Sequence, residues 1–145
     1  MRSRDAIDAP EALVLTMVLV SAADGGITDR EIGIMSGLVQ TLPAFQDFTS
    51  EALADVTERA AELLHDDDGL AHAARLMRAA LTPKLRETAY VLACEVVAGG
   101  EGARRLSLDM LDFVRGELGL DQLVTTAIER GVRARYQRVD PVDQR

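Results

Sequence analysis

Asp24-Gly25-Gly26-Ile27-Thr28-Asp29-Arg30-Glu31 interrupts a long apolar stretch, and the fold follows from how it is read. Two consecutive glycines after an acid close one helix, because glycine adopts the left-handed backbone that ends helices at no steric cost. Thr28, three residues before Glu31, supplies the hydroxyl and carboxylate that exchange hydrogen bonds with each other's backbone amides in a capping box. The stretch therefore reads as a joint between two helices, with Asp24, Asp29 and Glu31 gathered at one end of a helical hairpin.

Upstream of the joint, Asp8-Ala9-Pro10 has the form of a helix start, with proline in the first turn where its missing amide costs little. Leu13, Val14, Leu15, Met17, Val18, Leu19 and Val20 follow, apolar on every side, so the helix running to about Ala23 is expected to be enclosed by others. Downstream, Ile32, Met35, Leu38, Val39 and Leu42 recur at helical spacing until Pro43. Gly33 and Gly37, four apart, allow a close helix neighbour, within the chain or from a second copy, while each weakens the isolated helix.

The same grammar continues along the chain. A third helix is expected from Thr49 or Ser50 through Leu53, Val56, Ala60 and Leu63-Leu64. His65-Asp66-Asp67-Asp68-Gly69 then caps a fourth, through Leu70, Ala73, Leu76, Met77 and Leu81. Thr82-Pro83 opens a fifth that is apolar nearly all round, through Ala89, Tyr90, Val91, Leu92, Cys94, Val96 and Val97. Gly99-Gly100-Glu101-Gly102 breaks it. A sixth helix carries Leu106, Met110, Leu111, Phe113, Val114 and Leu118 up to Gly119, and a seventh spans Asp121 to Tyr136. No run of alternating apolar residues suggests a strand, so the expected fold is an all-α, single-domain bundle of about seven helices. Residues 1–9 are expected to form a flexible N-terminal segment, 10–137 the helical domain and 138–145 a polar tail; short loops predict antiparallel neighbours.

Sliding the chain by 76 positions lays Asp24 on Gly100 and superposes Glu11 on Glu87, Val20 on Val96, Gly26 on Gly102 and Leu42 on Leu118. Buried helix, glycine turn and amphipathic helix recur, which predicts an internally duplicated hairpin at the centre of the bundle. The second copy has lost acids: Gly100 stands for Asp24 and Ser107 for Glu31, leaving Glu101 and Asp109 as alternatives.

Composition excludes several functions. A net charge of -8, no Trp, two Tyr and three Phe disfavour nucleic acid, which needs cations and stacking surfaces. The apolar run from Ala12 is too short for the roughly 20 residues that span a bilayer, and no cleavage signal follows Met1-Arg2-Ser3-Arg4-Asp5, so a soluble cytoplasmic protein without direct membrane insertion is expected. The lone Cys94 lies in an apolar run and reads as a small buried hydrophobe. No nucleophile elbow or phosphate-cradling glycine loop occurs, so no enzyme is expected.

Asp24-Gly25-Gly26-Ile27 followed by Glu31 matches the second half of an EF-hand loop. Val20 and Ala22 stand where the first half would supply oxygen ligands, so a calcium or magnesium ion would need further donors. Glu95, a carboxylate inside Ala93-Cys94-Glu95-Val96-Val97, must be paired, protonated or coordinated if buried. It is read either as the partner of an arginine such as Arg104 or Arg105, or as the third metal ligand beside Asp24 and Glu31. The alternative for the turn is structural, with Asp24 ending one helix and Asp29 and Glu31 favouring the dipole of the next. His65 with its three aspartates reads as a solvated cap, and His72 as at best a weak surface ligand.

Ala22-Ala23-Asp24-Gly25-Gly26-Ile27 with Glu31, set after an apolar helix and repeated in weaker form, resembles the TerB tellurite-resistance family, related to the N-terminal module of DnaJ-like membrane co-chaperones. The resemblance covers about residues 10 to 137. It implies a duplicated helical bundle, acidic clusters that bind a divalent cation, and protein partners in bacterial stress-response complexes at the inner face of the membrane. Carried over, the family's acid-glycine pair falls on Asp24-Gly25 and its later glutamate on Glu31, while Gly100-Glu101 and Ser107 depart from the second motif. The expectation for function is thus an interaction module whose acidic pole binds a divalent cation or a basic partner segment, or else a metal-independent scaffold or homodimer.

Overall fold

An uninterrupted apolar sequence has no face to give to water, and the first helix is enclosed accordingly. In the computed structural model, which describes residues 6–100 and 105–139, no residue from Ala12 to Val20 is more than 3% exposed. This helix, α1 (Ala9–Ala22), is followed by α2 (Asp29–Thr41), α3 (Ser50–Leu64), α4 (Gly69–Ala80), α5 (Pro83–Gly99), α6 (Arg105–Leu118) and α7 (Gln122–Arg135), with a single 3-10 turn at Pro43–Phe45. Seven α-helices and no strand make up the described residues, as the periodicity predicts. None of these helices is long and apolar enough to cross a membrane. Residues 1–5, Glu101, Gly102, Arg104 and the end of the tail lie outside the described residues.

Local chemistry accounts for the boundaries. Asp8 accepts from the Glu11 amide while Glu11 accepts from the Asp8 amide, and Ile7 already packs on the core, so the ordered bundle begins before residue 10. Thr49, Thr82 and Asp121 cap α3, α5 and α7 through their side-chain oxygens. Asp68 does not cap α4 in this way, contrary to the reading of the acidic run; its backbone bends at φ -105, ψ 26 without a side-chain bond. Gly25 at φ +106 and Gly119 at φ +64 close α1 and α6 in conformations that favour glycine.

The core is built on α1 against α5, the most extensive helix pair in the fold. α3 and α4 cover α1, and α7 covers α5. The 76-residue shift carries α1 onto 85–98, inside α5, and α2 onto 105–117, inside α6. Yet the two hairpins are not closed on themselves: α2 lies more on α5 than on α1, and α6 lies on α1 as much as on α5. α2 thus crosses to the buried helix of the other copy, and α6 bridges the two.

Two expectations need correction. Gly33 and Gly37 face solvent, with no atom within 4 Å of where a side chain would begin, so no helix packs against them. Ile32 and Leu106 point outward, 46% and 53% exposed, while Ile34 turns inward. Helical spacing marks Ile32 and not Ile34; the position of α5, where Ile34 Cδ1 meets Gly99, decides for the latter.

Buried hydroxyls are mostly satisfied locally, as Thr16 shows by donating to the Ala12 carbonyl at 2.8 Å. Ser21 Oγ, 1% exposed, is the one buried side-chain polar atom without a hydrogen-bond partner among the described residues. Removing an unsatisfied buried hydroxyl removes its desolvation cost. Ser21→Ala is therefore expected to raise stability by about 1 kcal/mol in urea unfolding; a loss of stability would contradict this assignment.

Candidate functional site

The acidic joint forms as the sequence indicates. Glu31 Oε1 accepts from the Thr28 amide at 2.9 Å and lies 3.1 Å from Thr28 Oγ1, while the Glu31 amide donates back to Thr28 Oγ1 at 3.2 Å. The Gly25 amide donates to the Ala22 carbonyl at 3.2 Å, closing the turn. Asp24 and Asp29 stand exposed on it.

What the joint touches is the end of α5. Arg30 Nε donates to the Gly99 carbonyl at 2.9 Å, placing a cation at the negative end of that helix. A Cβ on Gly100 would meet the Val96 carbonyl oxygen at 2.8 Å and Glu31 Cγ at 3.1 Å. One on Gly99 would meet the Tyr136 ring at 2.8 Å and Ile34 Cδ1 at 2.9 Å. The paired glycines read from sequence as a helix break are also the point where the start of α2 and the residue after α7 close on α5.

Glu95 lies one turn back on α5, buried, and its partner comes from the end of the chain. Arg135 Nε donates to Oε1 and the Tyr136 hydroxyl to Oε2, both at 2.5 Å, with Arg135 Nη2 at 3.5 Å from Oε2. The bond to Glu95 holds the Arg135 guanidinium proton more tightly than usual, and burial followed by the same carboxylate raises the Tyr136 hydroxyl. The expectation of an arginine is right in kind and wrong in place: Arg105 is exposed at the start of α6, and Arg104 is outside the described residues. Apolar neighbours in sequence announce that a buried carboxylate needs a partner, but nothing local points across 40 residues to Arg135 and Tyr136.

This network carries a prediction. Arg135→Ala with Tyr136→Phe leaves Glu95 buried without its partners and is expected to cost about 2 kcal/mol. That figure lies below the roughly 3–5 kcal/mol of a fully buried pair because Arg135 is itself largely exposed. Adding Glu95→Leu, the residue type at the equivalent position of the first copy, Leu19, is expected to restore most of it. Urea midpoints of the three variants decide: no recovery in the triple variant would show that the loss comes from elsewhere.

Asp24, Glu31 and Glu95 are therefore placed in three different roles: on an exposed turn, in a helix cap and in an interhelix ion pair. Among the described residues no group of three or more His, Cys, Asp or Glu side chains is positioned to hold a metal ion, the His65–Asp68 run and His72 included.

A second polar cluster, invisible in the sequence, lies between α5, α6 and α7. The Tyr90 hydroxyl donates to Glu129, and Arg115 bridges Glu129 and Asp112. Burial, then the bond to Glu129, raise the Tyr90 hydroxyl above its usual range. Burial likewise pushes the neighbouring Cys94 thiol up to about 12, so it is a protonated, buried side chain, as its apolar surroundings predict.

No family model matches the chain, and no characterised protein or solved structure matches it significantly.

Proposed function

We propose that this chain is a non-catalytic helical interaction module in which the Asp24–Glu31 joint is part of the scaffold. The observation behind this reading is that the candidate ligands already serve the fold: Glu31 closes the Thr28 capping box and Glu95 is held by Arg135 and Tyr136. The resemblance of Ala22–Ile27 with Glu31 to the TerB family supplies the context, a cytoplasmic bacterial stress-response assembly in which protein partners are met at the membrane face. The competing reading, a divalent-cation site at Asp24 and Glu31, draws on Glu31 Oε2, which lies beside Gly100 while Oε1 makes the cap.

One experiment separates them. Glutamine serves in a capping box as glutamate does, whereas alanine does not. On the scaffold reading, Glu31→Gln leaves stability unchanged, Glu31→Ala costs about 1 kcal/mol, and calcium or magnesium at millimolar concentration moves no amide resonance of Gly25, Gly26 or Ile27 saturably. Saturable shifts there, abolished in Asp24→Ala and in Glu31→Gln, would replace this reading with the cation site.

A further inference from the structure

A cleft of about 420 Å³ opens between α1, α3 and α4, away from the acidic joint. Its floor is apolar, formed by Leu15, Val56, Leu63 and Leu76. Its volume falls within the range of small-molecule sites, which pair an apolar lining with a few polar groups.

Its charge is one-sided. Three carboxylates, Glu11, Glu62 and Asp66, line it against one arginine, Arg59, and one histidine, His72. Arg59 is already committed: its Nη2 lies 2.6 Å from Glu11 Oε2 on the cleft wall, and its Nε lies 3.8 Å from Asp55. Glu11 in turn accepts from the Asp8 amide at 3.0 Å. The wall pair is thus matched, and among the described residues lining the cleft the uncompensated charge belongs to Glu62 and Asp66, both exposed to an approaching ligand. A carboxylate or phosphate ligand would meet this pair with no unengaged arginine among the described residues lining the cleft. A bare metal ion would find an apolar floor in place of oxygen donors.

We propose that this cleft binds a small organic cation, an ammonium head at Glu62 and Asp66 with an alkyl or aryl body laid on Leu15, Val56, Leu63 and Leu76. The site is independent of the reading given above for the Asp24–Glu31 joint.

The test uses the full chain at low ionic strength, titrated with hexylammonium and, as its sign-reversed control, hexanoate, and followed by methyl and amide NMR. Hexylammonium is expected to bind in the millimolar range, as a probe of seven heavy atoms allows, with saturable shifts at Leu15, Val56, Ala60 and Leu76. Hexanoate is expected to leave these signals in place. Glu62→Gln with Asp66→Asn, both on exposed side chains, is expected to weaken hexylammonium roughly two- to tenfold, and Ala60→Phe, which fills the floor, to abolish its binding. Should Ala60→Phe fail to fold, the surface double variant still decides. Equal binding of hexanoate, shifts centred outside the cleft, no saturation, or unchanged affinity in the double variant would each overturn the proposal.

Discussion

Between pH 9 and 12 the folded protein is expected to lose stability at about 1.4 kcal/mol per pH unit, roughly 4 kcal/mol across the interval, through Cys94 alone. In the unfolded chain this thiol ionises near its usual 9.0, whereas burial in the fold raises it to about 12. The stabilising preference for the neutral thiol is fully present below pH 9. As pH rises past 9 the unfolded state gives up a proton that the native state keeps, so the equilibrium moves toward unfolding until the native thiol ionises too. Tyr90, also raised, adds to the slope above its usual 10. Against a typical total of 5–15 kcal/mol such a loss is large. Urea midpoints at pH 8, 9 and 10 are compared with those of Cys94→Ala, because Tyr90 and Tyr136, both raised in the fold, begin to contribute as the pH approaches 10. Cys94→Ala should flatten that part of the curve, and an unchanged slope in the variant would sink the explanation.

Gly69→Ala is the substitution expected to do most damage, about 3 kcal/mol or a fall of roughly 10 °C in Tm. Gly69 is buried at the start of α4, where a Cβ would stand 2.1 Å from the Leu63 carbonyl oxygen and 3.1 Å from Leu64 Cα. These are backbone atoms of the preceding helix, and no rotamer change moves them. The α3–α4 corner would have to open, pulling apart two helices that cover α1. Gly33→Ala and Gly37→Ala furnish the contrast. Both sit in the exposed middle of α2 with open space around them, so each should stabilise by about 0.4–1 kcal/mol. Thermal melts of the three variants check this together, and a Gly69→Ala protein as stable as the parent would refute the close approach.

That contrast also shows what a single sequence can and cannot convey. α1 and α5 were legible as the centre because burial on all sides leaves an all-round apolar pattern, a property of the helix itself. The Thr28–Glu31 cap was legible because both partners lie within one turn. A glycine's own type does not reveal whether a neighbour approaches: Gly33 and Gly37 allow a close helix and have none within the described residues, while Gly69, read as the end of the run that opens α4, is pressed against backbone. Apolar neighbours mark Glu95 as a carboxylate that needs a partner if buried, but its partners are set by how α7 lies on α5. The Glu129–Arg115–Asp112 cluster and the α1/α3/α4 cleft arise only when three helices converge, so periodicity along any one of them is silent.

The crossing of α2 onto α5 and of α6 onto α1 makes the two halves of this chain mutual lids. A ribosome that has released only the first copy has made an oily rod whose outer flank awaits residues 105–118, and a companion helix whose resting place, residues 83–99, does not yet exist. Neither half is a smaller version of the whole, because each leaves open to water an apolar flank that only the other covers.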